Sequence, residues 1–255
     1  MNKREKNLQR LKQFRLLDDT FMSKVFEDIA CTQLLLQIIL NRNDLQVNEV
    51  HSQYTIKNLQ GRSMRLDIFA TDQFNKKYNI EVQRSDRGAK AKRARYHSSV
   101  IDANIIAPGE EFEALPEIYI IFITENDILK RNLPIYHINR MISETGEAFE
   151  DDTHILYVNA KIKTETELGK LMHDFSCIDP NDINYDVLAK RVRYFKEEKE
   201  GVDIMCKIME DMIIEDRKEM ACRMLNDGIL SLEKIAEYTG LSIEEVKKLA
   251  DQKIA

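Results

Sequence analysis

Apolar residues recur at three- and four-residue spacing through Phe21, Val25, Phe26, Ile29, Ala30, Leu34, Leu35, Ile38 and Ile39, the period of one helix face. The spacing predicts one long amphipathic helix, with Asp18 and Asp19 placed to cap its start. The first sixteen residues, ahead of it, read as a frayed or amphipathic helix. The period then changes. Glu49 to Asn58, Met64 to Thr71 and Lys77 to Gln83 are short runs with strand character, separated by the turn residues Asn58, Gly61, Asp72 and Asn75. That layout predicts antiparallel hairpins. Helical spacing returns from Arg87 to Ile105 and stops at Ala107-Pro108-Gly109. Ile118 to Thr124 (IYIIFIT) is the almost unbroken apolar run expected of a strand buried on both faces, and His154 to Asn159 is a further strand candidate. From Asp186 onward only helical periodicity remains.

Composition narrows the class. With 255 residues and 43% hydrophobic content the chain can bury a core without disulfides or a structural metal. Only 8 glycines and 4 prolines, with 32% charged residues, exclude a collagen-like or disordered chain. No stretch approaches the roughly 18 to 20 apolar residues of a membrane span, and no apolar segment follows the basic N-terminus as a secretory signal would require. Cys31, Cys177, Cys206 and Cys222 lack CxxC spacing and read as small buried hydrophobes in a reducing cytoplasm. The five histidines show no metal-ligand spacing, so a zinc site is not expected.

The formal net charge of -6 argues against a general nucleic-acid binder, but its distribution changes that reading. Between Arg84 and Arg95, six basic residues (Arg84, Arg87, Lys90, Lys92, Arg93, Arg95) face one acid, Asp86. A compact basic block on an acidic chain is either a solvated helix face or an electrostatic footprint for phosphate. The preceding hairpin bears on the choice. Side chains alternate faces along a strand, so Asp67 opposes the side of Leu66, Ile68 and Ala70, and Glu81 and Gln83 oppose that of Ile80 and Val82. Folding the hairpin about Phe74 sets Asp67 opposite Glu81, where Cβ atoms lie about 4.5 to 5.5 Å apart. Two carboxylates that close repel unless something positive joins them. A divalent cation such as Mg²⁺, which takes oxygen ligands, is one answer; solvated edge residues or salt bridges are the other.

These residues resemble a known family. Arg65-Leu66-Asp67-Ile68 with Asn79-Ile80-Glu81-Val82-Gln83 is similar to the active-site hairpin of the PD-(D/E)XK nuclease superfamily, most of all its Rpn branch of recombination-promoting nucleases and transposases. Asp19 to Phe26, Lys92-Arg93-Ala94-Arg95-Tyr96, Leu115 to Ile123 and Met172-His173-Asp174-Phe175 fit the same order. The resemblance implies an α/β fold: a restriction-endonuclease-like mixed sheet flanked by helices over residues 1–180, with a helical C-terminal region over 181–255. It also implies metal-dependent cleavage of DNA phosphodiesters, with Mg²⁺ or Mn²⁺ as cofactor. By position, Asp67 and Glu81 become metal carboxylates, the carbonyl of Val82 a further ligand, and Asp19 an acidic residue supporting the site, N-capping being its other reading. Gln83 stands where most of the superfamily has lysine; a neutral amide can orient water but cannot supply the ammonium's charge. Arg84, Lys90, Lys92, Arg93 and Arg95 then hold backbone phosphates. DNA is the implied partner, assembly as a homodimer stays open, and a catalytically silent DNA-binding or regulatory module is the rival function.

Asp227 to Ala250 reads as two short helices about Thr239-Gly240-Leu241, with a capping box from Ser242 to Glu245 and a small core of Ile235, Ala236, Leu241, Ile243, Val246 and Leu249. Residues 229–250 resemble a helix-turn-helix module. The second helix opens on Glu244 and Glu245, which repel phosphate, and carries basic residues only at Lys247 and Lys248, so a structural or protein-contact hairpin is the favoured reading. Met205, Ile208, Met209 and Met212 sit at the spacing of a core stripe or interhelical seam.

Overall fold

The computed structural model describes residues 3–57, 63–84 and 88–251. The turn residues Asn58 and Gly61, and Asp86 and Arg87 of the basic block, lie outside the described residues. The chain forms two compact units, Lys12–Arg193 and a second that joins Met1–Leu11 to Tyr194–Ala255.

After α1 (Lys3–Lys12), the first unit begins with α2 (Asp19–Val25) and α3 (Ile29–Leu40). The single long helix expected here is two. Asp28 takes the N-cap position of α3 and its carboxylate accepts the Cys31 amide at 3.0 Å, while Thr32 Oγ1 donates to the Phe26 carbonyl at 2.6 Å. The cap satisfies a helix-start amide that a continuous helix would satisfy internally. The apolar period runs straight through the break, because Phe21, Val25, Phe26, Leu35 and Leu36 are all buried on either side of it.

Three strands follow, β1 (Val47–Ile56), β2 (Met64–Asp72) and β3 (Lys77–Gln83), then α4 (Ala91–Ile105), β4 (Ile118–Thr124), β5 (Ile135–Ile138) and β6 (Thr153–Asn159). They build one mixed sheet in the order β1-β2-β3-β4-β6-β5. β1, β2 and β3 pair antiparallel, as the hairpin pattern predicts; β3, β4 and β6 run parallel, and β5 returns antiparallel on the edge. α4 is the crossover between parallel β3 and β4, and a parallel pair needs such a connection. β4 lies inside the sheet, with six of its seven residues buried, which is why it reads as an unbroken apolar run. β5 gave no such signal: it is four residues long, and none of them is fully buried.

The β2–β3 hairpin is pinned at its turn. Asp72 is buried, and one of its carboxylate oxygens accepts the amides of Phe74 and Lys76, both at 2.9 Å. The other accepts the Tyr78 hydroxyl at 2.8 Å. This Asx-type turn, with Asn75 in the left-handed region at φ 65°, sets Thr71 against Lys77 and Ile68 against Ile80. One face of the sheet carries Phe69, Ile120, Phe122 and Tyr157 under Ala94 and Ile101 of α4. Alternation sends Ile80, Val82, Ile121, Ile123, Leu156 and Val158, all buried, to the other. α5 (Glu167–Ser176) and α6 (Asp186–Glu197) follow the sheet.

The second unit holds α7 (Lys199–Asp227), α8 (Leu232–Thr239) and α9 (Ile243–Asp251). Ala221, Ile235, Leu241 and Val246 form its buried cluster. The capping box forms as its spacing predicts: Glu245 N donates to Ser242 Oγ at 3.3 Å, and Ser242 N donates to Glu245 Oε2 at 2.8 Å. Met205 and Met209 are buried, whereas Met212 at the same spacing is exposed. No helix among the described residues is long and apolar enough to cross a membrane.

Because Asp72 satisfies three donors, Asp72→Ala is expected to cost roughly 1–3 kcal/mol of stability, measured by urea unfolding, with Asp72→Asn recovering part of it.

Candidate active site

The register fixed at Asp72 carries up the hairpin to Asp67 and Glu81. The regular pairing ends at Ile68 and Ile80, and beyond it side chains take over the cross-strand bonding. The Asp67 amide donates to Glu81 Oε1 at 3.3 Å, and the Val82 amide donates to Asp67 Oδ2 at 3.1 Å. Each carboxylate therefore accepts a backbone amide from the opposite strand. Glu81 is fully buried and Asp67 is 8% exposed.

Burial sets the electrostatics. Desolvation pushes the Asp67 carboxyl well above its ordinary range, and the charges of Glu81 and Asp19 add to the rise. Desolvation also raises Glu81, while the Arg93 guanidinium works against it. Arg93 Nη2 meets Glu81 Oε2 at 2.9 Å. The rest of the guanidinium is engaged as well: Nη1 donates to the Gly88 carbonyl at 2.9 Å and to Gln83 Oε1 at 3.4 Å, and Nε donates to His97 Nε2 at 3.1 Å. His97 is buried, and desolvation, helped by the Arg93 charge, lowers its pKa to about 4, so the ring is neutral at physiological pH. With Nε2 accepting from Arg93, the neutral ring carries its proton on Nδ1. The Asn79 amide nitrogen lies 2.9 Å from His97 Nδ1.

Asp19 is on the first turn of α2, exposed, with its side chain within hydrogen-bonding reach of Asp67. It does not cap the helix. Asp18 holds the N-cap position, and the Asp18 carboxylate turns away to the Arg15 amide at 2.7 Å and to Arg84 at 2.7 Å. Gln83 lies over Gly88 so closely that a Cβ on that glycine would sit 1.6 Å from Gln83 Oε1. Above the carboxylates opens a cleft of about 940 Å³ lined by Asp19, Asp67 and Gln83 and rimmed by Arg65, Lys92, Arg93 and Tyr96.

Of the five basic residues assigned to phosphate, Lys92 and Arg93 line this cleft. Lys90 at the N-cap of α4 and Arg95 on the helix are exposed outside its lining, and Arg84 is paired with Asp18 and Glu125. Sequence reasoning placed Arg65 and Asn79 in the hairpin motif without giving either a role, and did not single out His97. His97 had one available signal, since it follows Arg93 by four residues and so shares its helix face.

The donor set around Asp67 consists of hard oxygens: the carboxylates of Asp19, Asp67 and Glu81, with the Val82 carbonyl on the same strand end. Such a set of hard oxygens, with two of its carboxylates buried, suits a hard divalent cation rather than a soft metal. A second group, His173, Asp174 and Cys177, places one ligand atom each within 4.8 Å of the others. Its buried carboxylate already accepts the amides of Asn184 at 2.8 Å and Tyr185 at 3.1 Å and the Asn184 side chain at 2.7 Å. Those bonds secure the start of α6.

A carboxyl raised on folding contributes stability below its unfolded pKa and loses it as pH climbs through the folded value. Metal-free protein should therefore lose stability from about pH 4 upward through the raised Asp67 and Glu81 values. Asp67→Asn should flatten that decline and raise stability by roughly 1–2 kcal/mol at its alkaline end, read by thermal melts in EDTA.

Residues 24–175 match the family of PD-(D/E)XK nuclease family transposases, a span that contains the whole sheet, the hairpin carboxylates and the helix bearing Arg93. No curated protein and no solved structure matches the chain. The chain belongs to the PD-(D/E)XK nuclease transposase family, and its mixed six-stranded sheet with flanking helices is consistent with that fold.

Proposed function

We propose that the protein is a divalent-metal-dependent DNA endonuclease of the cytoplasm, hydrolysing phosphodiester bonds in recombination or in the movement of a mobile element. The observation that carries this reading is the pair of buried carboxylates, Asp67 and Glu81, beneath a cleft rimmed with Arg65, Lys92 and Arg93. A purely structural pair would be expected to find enough counter-charge in the fold. Here Arg93 offsets one carboxylate, and Asp19 adds a third.

In this reading Asp67 and Glu81, with the Val82 carbonyl, hold Mg²⁺ or Mn²⁺, and Asp19 supports them. Such an ion lowers the pKa of a coordinated water and stabilises negative charge on a phosphodiester. The chain's own groups do the rest. Lys92 and Arg65 offer positive charge to the backbone phosphates on the cleft wall, and exposed Lys90 and Arg95 extend the basic surface along α4. Gln83 orients the attacking water through its amide, whose oxygen is held by Arg93, itself fixed by the Gly88 carbonyl. Arg93 supplies fixed positive charge beside Glu81 and Gln83, where most of the superfamily has a lysine. Electrostatic preorganisation of this kind works best with groups already held by other bonds.

A second reading has its own observation. The Arg93 guanidinium bonds Glu81, Gln83, Gly88 and His97, an arrangement that would also suit a silent scaffold binding DNA through its basic helix.

Incubation of supercoiled plasmid with Mg²⁺, Mn²⁺ or EDTA separates the two. Metal-dependent nicking or linearisation that falls at least about 100-fold in Glu81→Ala supports the nuclease; DNA retention without cleavage under any divalent ion supports the scaffold. Gly88→Ala provides a finer test. Its methyl displaces the Gln83 amide, so cleavage should fall about 10-fold or more with the melting temperature nearly unchanged.

A further inference from the structure

Four charged residues outside the cleft form a closed ring of alternating sign. Arg84 Nη1 meets Asp18 Oδ1 at 2.7 Å, and its Nε meets Glu125 Oε2 at 3.4 Å. Arg15 Nη1 meets Glu125 Oε1 at 3.0 Å and closes the ring on Asp18, whose Oδ2 accepts the Arg15 backbone amide at 2.7 Å. The members come from three places: the turn before α2, the end of β3 and the residue after β4. The strand ends are tied independently, since the Glu125 amide donates to the Gln83 carbonyl at 3.1 Å. The ring adds the turn before α2 to that pair.

That turn matters because Asp18 is the N-cap of α2 and Asp19 is the next residue. Wherever the ring holds Asp18, Asp19 follows within one peptide unit. Asp19 is exposed, yet its side chain lines the same cleft as the buried Asp67. An exposed acid with no restraint would swing away from a buried carboxylate. We infer that Arg84, Arg15, Asp18 and Glu125 are an ion-pair clasp that seats Asp19 beside Asp67, and that Arg84 is a positioning residue for the third carboxylate of the site. The Arg84 guanidinium is directed at protein carboxylates, which distinguishes it from Lys92 and Arg93 on the cleft wall. Single surface ion pairs contribute little to stability, so the clasp's effect lies in placement. The inference deepens the nuclease reading, because a third carboxylate is useful only where a cation is held.

A double-mutant cycle on the full chain tests it without relying on cleavage. In EDTA, at a pH above the raised Asp67 value where both carboxylates carry charge, Asp19→Asn should raise the melting temperature of the wild-type background. In the Arg84→Ala background the same change should have less than half that effect, and Arg84→Lys should restore it. Additive effects of the two substitutions would overturn the clasp. DNA binding measured against salt in EDTA provides the other arm. Arg84→Ala should leave affinity and salt dependence unchanged; a log–log slope shallower by about one would make Arg84 a phosphate contact and overturn the positioning role. In the cleavage assay, the variant should need about 10-fold more divalent ion for half-maximal turnover. If the wild type cleaves nothing, the nuclease reading fails, while the melting cycle still decides the clasp.

Discussion

The register of one hairpin decides what this protein can do. Asp72 accepts Phe74, Lys76 and Tyr78, and from that turn every pairing up the β2–β3 ladder follows. A slip of one residue would turn Asp67 and Glu81 to opposite faces, because strand side chains alternate with period two. In the observed register they meet where regular pairing gives way, each carboxylate taking an amide from the opposite strand. The turn is distant from the chemistry and controls it geometrically.

The same arrangement carries an energetic cost. Two carboxylates are buried together with a third at the rim, and all three repel. The sheet can support this because its central strands are clamped between apolar layers, with Ile120 and Phe122 on one side and Ile121 and Ile123 on the other fully buried. Arg93 relieves part of the repulsion, and its remaining donors join Gln83, Gly88 and His97 into one network. His97 suits this place because burial keeps its ring neutral, so it accepts from Arg93 without adding charge. The basic block thus divides by geometry. Arg93 turns inward, Lys92 faces the cleft, and Arg84 joins a protein ion ring.

The helical unit at the C-terminus follows a different logic. Its small core of Ala221, Ile235, Leu241 and Val246 and its cap from Ser242 to Glu245 are local features. The glutamates that open α9 are exposed on its first turn, where the helix dipole favours negative charge.

Much of this was legible in the chain itself. The switch from helical to strand period located the hairpins, α4 and the buried β4, and alternation put Asp67 and Glu81 on one face, because local patterns report local burial. The break between α2 and α3 was hidden, since the apolar period is the same on both sides of Asp28 and only a side-chain cap marks it. β5 was hidden because a four-residue edge strand buries too little to leave a pattern. Residue types and spacing determined which side chains are near one another within an element. Tertiary structure decided where the long side chains end: Arg93 on Glu81, Arg84 on Asp18 and Glu125, and Asp19 at Asp67 rather than at its own helix start. The direction of a flexible charged side chain depends on counter-charges brought in from distant parts of the chain, and spacing along the sequence carries no record of them.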